Sequence, residues 1–269
     1  MNIAVFIGKN SAESDARLLN LLDSLEKGGC TCYGVAAGDD LKPDTDMVLS
    51  VGGDGTFLSV SKLVGDSGVP VVGVNLGRLG FLSENRPEDV AAALLGGDYT
   101  IEDRALLCAV PVSGEGVEAY ALNEITVHRS GAAVLGVDVC IDGKWLPTYW
   151  ADGLIVSTSS GSTAYSLSVG GPIVLPHSKV LLISPIAPHN LNIRPLVVPD
   201  SSEIKLRMQS RDGRFIFTAD NMTTELPSDV GISVRVARFS LRRVRLNGAD
   251  FINALTEKLF WGEDVRNIK

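Results

Sequence analysis

Over residues 2–95 the chain alternates β-rich runs with segments of helical spacing, and this alternation limits the fold more than any other feature. Asn2–Ile7 is a short β-rich run. Leu18, Leu21, Leu22 and Leu25 then recur at i, i+3, i+4 and i+7, one face of an amphipathic helix. Apolar runs at Met47–Val51 and Val69–Val74 each lead into a Gly-rich turn. Between them Phe57, Val60 and Val64 keep helical spacing, and Pro87–Leu95 reads as a further short helix. Strands and helices in turn predict a parallel, doubly wound sheet.

Beyond residue 98 the pattern changes. Alternating or β-branched segments take over at Leu106–Val112, Ala119–Val127, Val134–Ile141, Leu154–Ser157, Val180–Ile183, Ile204–Met208, Phe215–Thr218 and Ile232–Ala237. Asp142-Gly143, between two such runs, is a strong two-residue hairpin signal. In the tail, Phe251, Ile252, Leu255 and Leu259 return to a helical stripe. The expected architecture is an N-terminal α/β domain with a parallel sheet, residues 1–98 plus 249–269, and a β-rich, sandwich-like C-terminal domain, residues 99–248. The last helix is expected to pack back on the N-terminal domain.

With 45% hydrophobic and 21% charged residues, the 269-residue chain has the balance of a soluble globular protein with a real core. No apolar run nears the roughly 20 residues that span a bilayer, so no membrane association is expected. The start, MNIAVFIGKNSAESD, has neither a basic leader nor a small-residue cleavage site and reads as a first buried strand. Cytoplasmic residence is the expectation. Cys30, Cys32, Cys108 and Cys140 have no zinc spacing and read as reduced, mostly buried thiols. A net charge of −8 argues against nucleic acid as a partner. The one basic cluster, Arg235, Arg238, Arg242, Arg243 and Arg245, reads as a solvated strand face, with a phosphate- or subunit-facing patch as the alternative.

The run Met47–Val51 leads directly into Gly52-Gly53-Asp54-Gly55-Thr56 and a helical pattern. Neither a P-loop nor the usual dinucleotide fingerprint is present. Gly52, Gly53 and Gly55 are free to adopt positive φ and leave backbone N–H groups unshielded. The helix that follows points its positive end at the same spot, which suits a phosphate. Thr56 caps the helix or touches a phosphate oxygen. Asp54 is out of place in an anion site unless it has separate chemistry to perform. It could ligate Mg²⁺, or take a proton from a hydroxyl that attacks a phosphoryl group. The plain alternative is an Asp-Gly turn, although such turns usually join strand to strand.

Gly52–Thr56 resembles the GGDGT loop of NAD kinases, of diacylglycerol- and sphingosine-type lipid kinases and, in related form, of phosphofructokinases. Three more blocks narrow the resemblance to NAD kinases. Gly73–Leu82 looks like their G-x-N-x-G-x-L-G-F segment, and Leu122-Asn123-Glu124 like their N-E pair. Asp152–Pro172 is similar, nearly residue for residue, to their block running from D-G through S-T-A-Y-S to G-G-P. Pro188-His189 to Arg194-Pro195 and the Leu259-x-Trp261 ending fit the same pattern.

The resemblance implies an ATP-dependent kinase acting on the adenosine-ribose 2′-hydroxyl of NAD, with Asp54 as the base and Gly52, Gly53, Gly55 and Thr56 as the phosphate loop. It implies a site in the cleft between the domains. Asp54, Gly55, Phe81, Asn123, Glu124, Asp152, Ser160, Thr163, Ala164, Tyr165, Ser166, Leu167 and Ser168 would contact NAD. Asn123 and Glu124 would hold the adenine and ribose, Asp152 would face the nicotinamide, and Thr163–Ser168 would wall the adenosine. A side-chain amide suits an adenine edge, and carboxylates accept from ribose hydroxyls. ATP is the expected donor, with Mg²⁺ or another divalent cation, in a homodimer or homotetramer. No residue is assigned as a metal ligand. His189 is expected to hold a loop by hydrogen bonds. The chain departs from the family at Ser159-Ser160, usually Pro-Thr, at Trp150, usually Arg or Gly, and at Met222, often Gln. Two competing readings keep the same loop: a lipid kinase, and a dinucleotide sensor without catalysis.

Overall fold

The computed structural model describes residues 1–8, 13–77, 80–112, 118–248, 251–259 and 261, with only the backbone of Glu257. Arg78 and Leu79 of the Gly73–Leu82 block, Phe260, and residues 249–250 and 262–269 of the expected first domain lie outside the described residues. The chain forms two compact units, Met1–Asp103 with Leu241–Lys269, and Arg104–Ser240.

The first unit follows the expected alternation. Its elements are β1 (Asn2–Ile7), α1 (Ala16–Lys27), β2 (Thr31–Val35), β3 (Met47–Val51), α2 (Asp54–Val64), β4 (Val71–Val74) and α3 (Pro87–Gly96). Strands β1 to β4 are parallel, in the order β2-β1-β3-β4. Every residue of β3 and β4 is buried, as expected of central strands covered on both faces. Leu18, Leu21 and Leu25 of α1 are buried, as are Phe57, Val60 and Val64 of α2, so the helical spacing marks the core-facing stripes.

The second unit is almost wholly antiparallel. It contains β5 (Tyr99–Pro111, begun in the first unit), β6 (Ala119–Ala121), β7 (Glu124–Arg129), β8 (Leu135–Ile141), β9 (Lys144–Trp145), β10 (Tyr149–Ala151) and β11 (Gly153–Thr158). A 3-10 turn at Ser160–Thr163 and the four-residue helix α4 (Tyr165–Ser168) follow. Then come β12 (Val180–Ile186), β13 (Leu196–Pro199), β14 (Ile204–Gln209), β15 (Arg214–Ala219), β16 (Met222–Pro227) and β17 (Ile232–Leu246), which ends in the first unit. One sheet has the order β13-β12-β11-β7-β15-β16, and in the other β10, β8, β14 and β17 are neighbours. A core that includes Val137, Val139, Ile204 and Leu206 from one sheet and Ile125, Val127, Leu154, Val156, Phe215 and Phe217 from the other fills the sandwich.

The Asp142-Gly143 hairpin forms, with positive φ at both residues (49° and 83°) as a type I′ turn requires. The run expected at Ala119–Val127 is instead two strands, because the Asp220 carboxylate takes the backbone N–H groups of Leu122 and Asn123 out of the ladder. The arginine cluster is not uniformly solvated. Arg238 and Arg242 are exposed, but Arg243 is buried, and its guanidinium meets Glu84 at 2.6 Å. The last helix, α5 (Phe251–Leu259), belongs to the first unit, where the Phe251 ring lies 6.1 Å from that of Phe81. The four cysteines are free thiols, three of them buried.

Candidate functional site

In the first unit the chain leaves β1 toward β2 on one side, and β3 lies against β1 on the other. The strand order reverses there, and open α/β sheets bind ligands outside the carboxyl ends of strands at such a point. Gly8 and the glycine loop after β3 meet at it. The Gly8 N–H donates to Val51 O at 2.9 Å, and a Cβ on either Gly8 or Gly52 would stand 2.3 Å from the Thr56 hydroxyl. Thr56 thus fills the space beside both glycines. A cavity of about 1280 Å³ opens above these strand ends, lined among others by Gly8, Ala36, Gly52, Gly53, Gly55, Thr56 and Asn75–Gly77.

The loop glycines divide into two kinds. Gly52, with φ 151°, needs the absence of a side chain for its own backbone and for Thr56. Gly53 and Gly55 do not have positive φ, and a Cβ on either would meet nothing within 4 Å. Packing does not demand glycine there.

Asp54 is the first residue of α2. Its carboxylate accepts three successive backbone N–H groups: Phe81 at 2.9 Å on Oδ2, and Leu82 at 3.0 Å and Ser83 at 2.9 Å on Oδ1. The glycines and asparagine of the Gly73–Leu82 block make this possible. A Cβ on Gly73 would meet Leu82 O at 2.6 Å, and one on Gly80 would meet Asp54 Oδ1 at 1.9 Å. Asn75 donates to Ser83 O and accepts from the Gly77 N–H. The Phe81 ring rests against Phe251.

The second unit carries the other expected residues. Asp220, with φ 50°, accepts the N–H groups of Leu122 (2.7 Å), Asn123 (2.8 Å) and Glu124 (3.1 Å), and its own N–H returns to Glu124 O. Sequence reasoning assigns Asp220 no role, and its only local signal is an Asp-Asn step tolerant of left-handed backbone. The loop after β11 docks on the same segment: Thr158 donates to Leu122 O, and a Cβ on Gly161 would stand 2.2 Å from Asn123 O. Burial first, and the Asp220 carboxylate second, push the Glu124 carboxyl up to about 8, partly opposed by the Tyr165 N–H. Glu124 Oε2 is buried without a hydrogen-bond partner.

Ser160, Thr163, Ala164 and Leu167 are half-buried, and Tyr165 and Ser168 are exposed. Ser166 is buried, its hydroxyl 3.0 Å from that of Ser184. Asp152 meets Arg129 at 2.7 Å. Trp150 is exposed, and its carbonyl accepts the His189 backbone N–H.

The model of the ATP-NAD kinase N-terminal domain matches residues 35–99, and that of the ATP-NAD kinase C-terminal domain matches residues 122–246. A curated NAD kinase of Porphyromonas gingivalis is 39% identical over 288 aligned residues, covering 98% of this chain and 99% of the relative. The chain belongs to the NAD kinase family. Another member, the NAD kinase of Flavobacterium psychrophilum, is 42% identical over 235 residues, covering 85% of this chain and 80% of the relative.

Two solved structures share the fold. An NAD kinase from Archaeoglobus fulgidus in complex with ATP has a TM-score of 0.76 at 26% identity, covering 92% of this chain and 94% of that one. Yeast NADH kinase complexed with NADH has a TM-score of 0.85 at 24% identity, covering 100% and 90%, a likeness of fold alone. The family comparison gives no support to a lipid kinase or a non-catalytic sensor.

Proposed function

We propose that this enzyme transfers a phosphoryl group from ATP to the 2′-hydroxyl of the adenosine ribose of NAD, giving NADP, with Asp54 as general base. The observation that carries the reading is the seat of Asp54: a carboxylate at the head of α2, next to two glycines whose missing side chains serve no packing purpose. Oδ2 takes one of the three N–H bonds, so it keeps acceptor capacity for a ribose hydroxyl. The hydroxyl is a poor nucleophile at neutral pH, and the base removes its proton as the bond to phosphorus forms.

The backbone of the Gly52–Thr56 loop and the positive end of α2 face the polyphosphate. Asn123 and Glu124 hold the adenine and ribose, and the orphan Oε2 of Glu124 meets a ribose hydroxyl. Phe81, Asp152, Ser160 and Thr163–Ser168 complete the NAD contacts. The Ser166 hydroxyl is directed at Ser184, so Ser166 contributes through its backbone and by shaping the wall.

Mg²⁺ typically binds through one or two carboxylates and the substrate's phosphates. A cation carried by the donor would meet Asp54, the carboxylate of the Gly52–Thr56 loop. When bound, the cation neutralises charge on the polyphosphate. Cytoplasmic residence and a homodimer or homotetramer complete the proposal; sedimentation of the purified chain tests the assembly.

The deciding assay incubates the purified protein with ATP, Mg²⁺ and NAD⁺ or NADH and reads the product through an NADP-specific dehydrogenase. NADP(H) formation is expected. Absence of product from both acceptors removes the proposal.

A further inference from the structure

The last helix reaches the turn that seats Asp54. Gly80–Ser83 closes on itself through the Gly80 N–H, which donates to Ser83 O at 2.9 Å. Its next three N–H groups end on the Asp54 carboxylate. With only 1.9 Å between that carboxylate and a hypothetical Gly80 Cβ, a shift of the turn moves the carboxylate or breaks its bonds.

The other side of the turn is held from α5. The Lys258 ammonium donates to the Gly80 carbonyl and lies 4.8 Å from the centre of the Phe81 ring, which in turn rests on Phe251. A charged donor to a carbonyl makes a strong hydrogen bond, and a cation over an aromatic face adds to it. Arg243 supports the turn independently, through a long bond to Leu82 O at 3.4 Å.

We propose that Lys258 is a positioning residue for the reaction: by tying the Gly80–Ser83 turn to α5, it sets the aim of the Asp54 carboxylate. The inference rests on Asp54 being the base. Positioning errors of an ångström cost rate steeply even when binding is intact, so the effect belongs in kcat.

Lys258→Met keeps the length of the stem and removes the donor and the charge. Steady-state kinetics with NAD⁺, ATP and Mg²⁺ should show kcat lowered about tenfold, with both KM values within about twofold and most of the rate restored by Lys258→Arg. In the Asp54→Asn background, where no base remains to be aimed, the same substitution should change the residual rate by less than about twofold. An unchanged kcat, a loss carried by KM, no recovery with arginine, or an equal drop in both backgrounds overturns the inference. Should Lys258→Met fail to fold by circular dichroism, Lys258→Gln is judged by the same outcomes. A wild type that makes no NADP removes the proposed function and this inference with it. An active wild type, a crippled Asp54→Asn and a fully active Lys258→Met remove this inference alone.

Discussion

Asp54 and Asp220 act alike in different units, each carboxylate collecting three consecutive backbone N–H groups and fixing a turn. For Asp54 that fixation leaves Oδ2 with capacity for one more donor, which is what a base needs. Asp54→Asn should lower kcat by at least about 10² while leaving the dissociation constant for NAD⁺ within about threefold, measured by titration calorimetry beside the coupled assay. A variant turning over near the wild-type rate would refute the base assignment. Asp54 is legible in the sequence because glycines, a preceding apolar run and a following helical pattern frame it. Lys258 is not, since a lone lysine on an amphipathic helix looks the same whether it meets water or a carbonyl.

At the scale of elements, the strand–loop–helix unit β3–α2 is readable almost to the residue. Its three glycines suggest a shared conformational role, and only Gly52 has one; the other two leave open space. Leu122 and Asn123 have the pattern of a strand interior and instead separate β6 from β7, held together with Glu124 by the β15–β16 turn. Local β propensity cannot report that, because the competing acceptor comes from 98 residues away. Asp220→Asn keeps a side chain suited to left-handed backbone and one acceptor oxygen, but gives up the charge-assisted bonds. It should raise KM for NAD⁺ about fivefold or more, with kcat within about threefold, since each bond to a charged group contributes about 1.5–3 kcal/mol. Unchanged kinetics would show that Asp220 does not place Asn123 and Glu124 for NAD.

For the whole molecule, two ionisable sites bear on the stability profile. Arg243 pairs with Glu84 inside the first unit. Arg243→Met strands the carboxylate and should destabilise by about 3–5 kcal/mol in urea unfolding; a loss below about 1 kcal/mol would mean Glu84 finds another partner. Glu124 acts through pH. Its folded value is raised from 4.5 to about 8, so the folded state holds a proton that the unfolded state releases. The stability this contributes is complete below the unfolded value and is lost as pH rises toward the folded one, the reverse of an ion-paired carboxylate. Between pH 5.5 and 7.5, wild type should lose about 1.4 kcal/mol per pH unit relative to Glu124→Gln. Parallel unfolding curves for the two proteins would count against a protonated Glu124.

The alternation of strands and helices in the first unit apart from β2, the change to a β-rich second unit, the Gly-rich loop with its aspartate, and the family were all determined by the sequence. They depend on periodicity, glycine placement and contiguous motifs, which act over a few neighbouring residues. Only the tertiary structure decided that Arg243 is buried, that Asp220 breaks a strand, that Gly53 and Gly55 face open space, and that Lys258 reaches the turn seating Asp54. Each of these turns on what the chain places opposite a residue, and burial and hydrogen-bond competition between distant segments have no local signature.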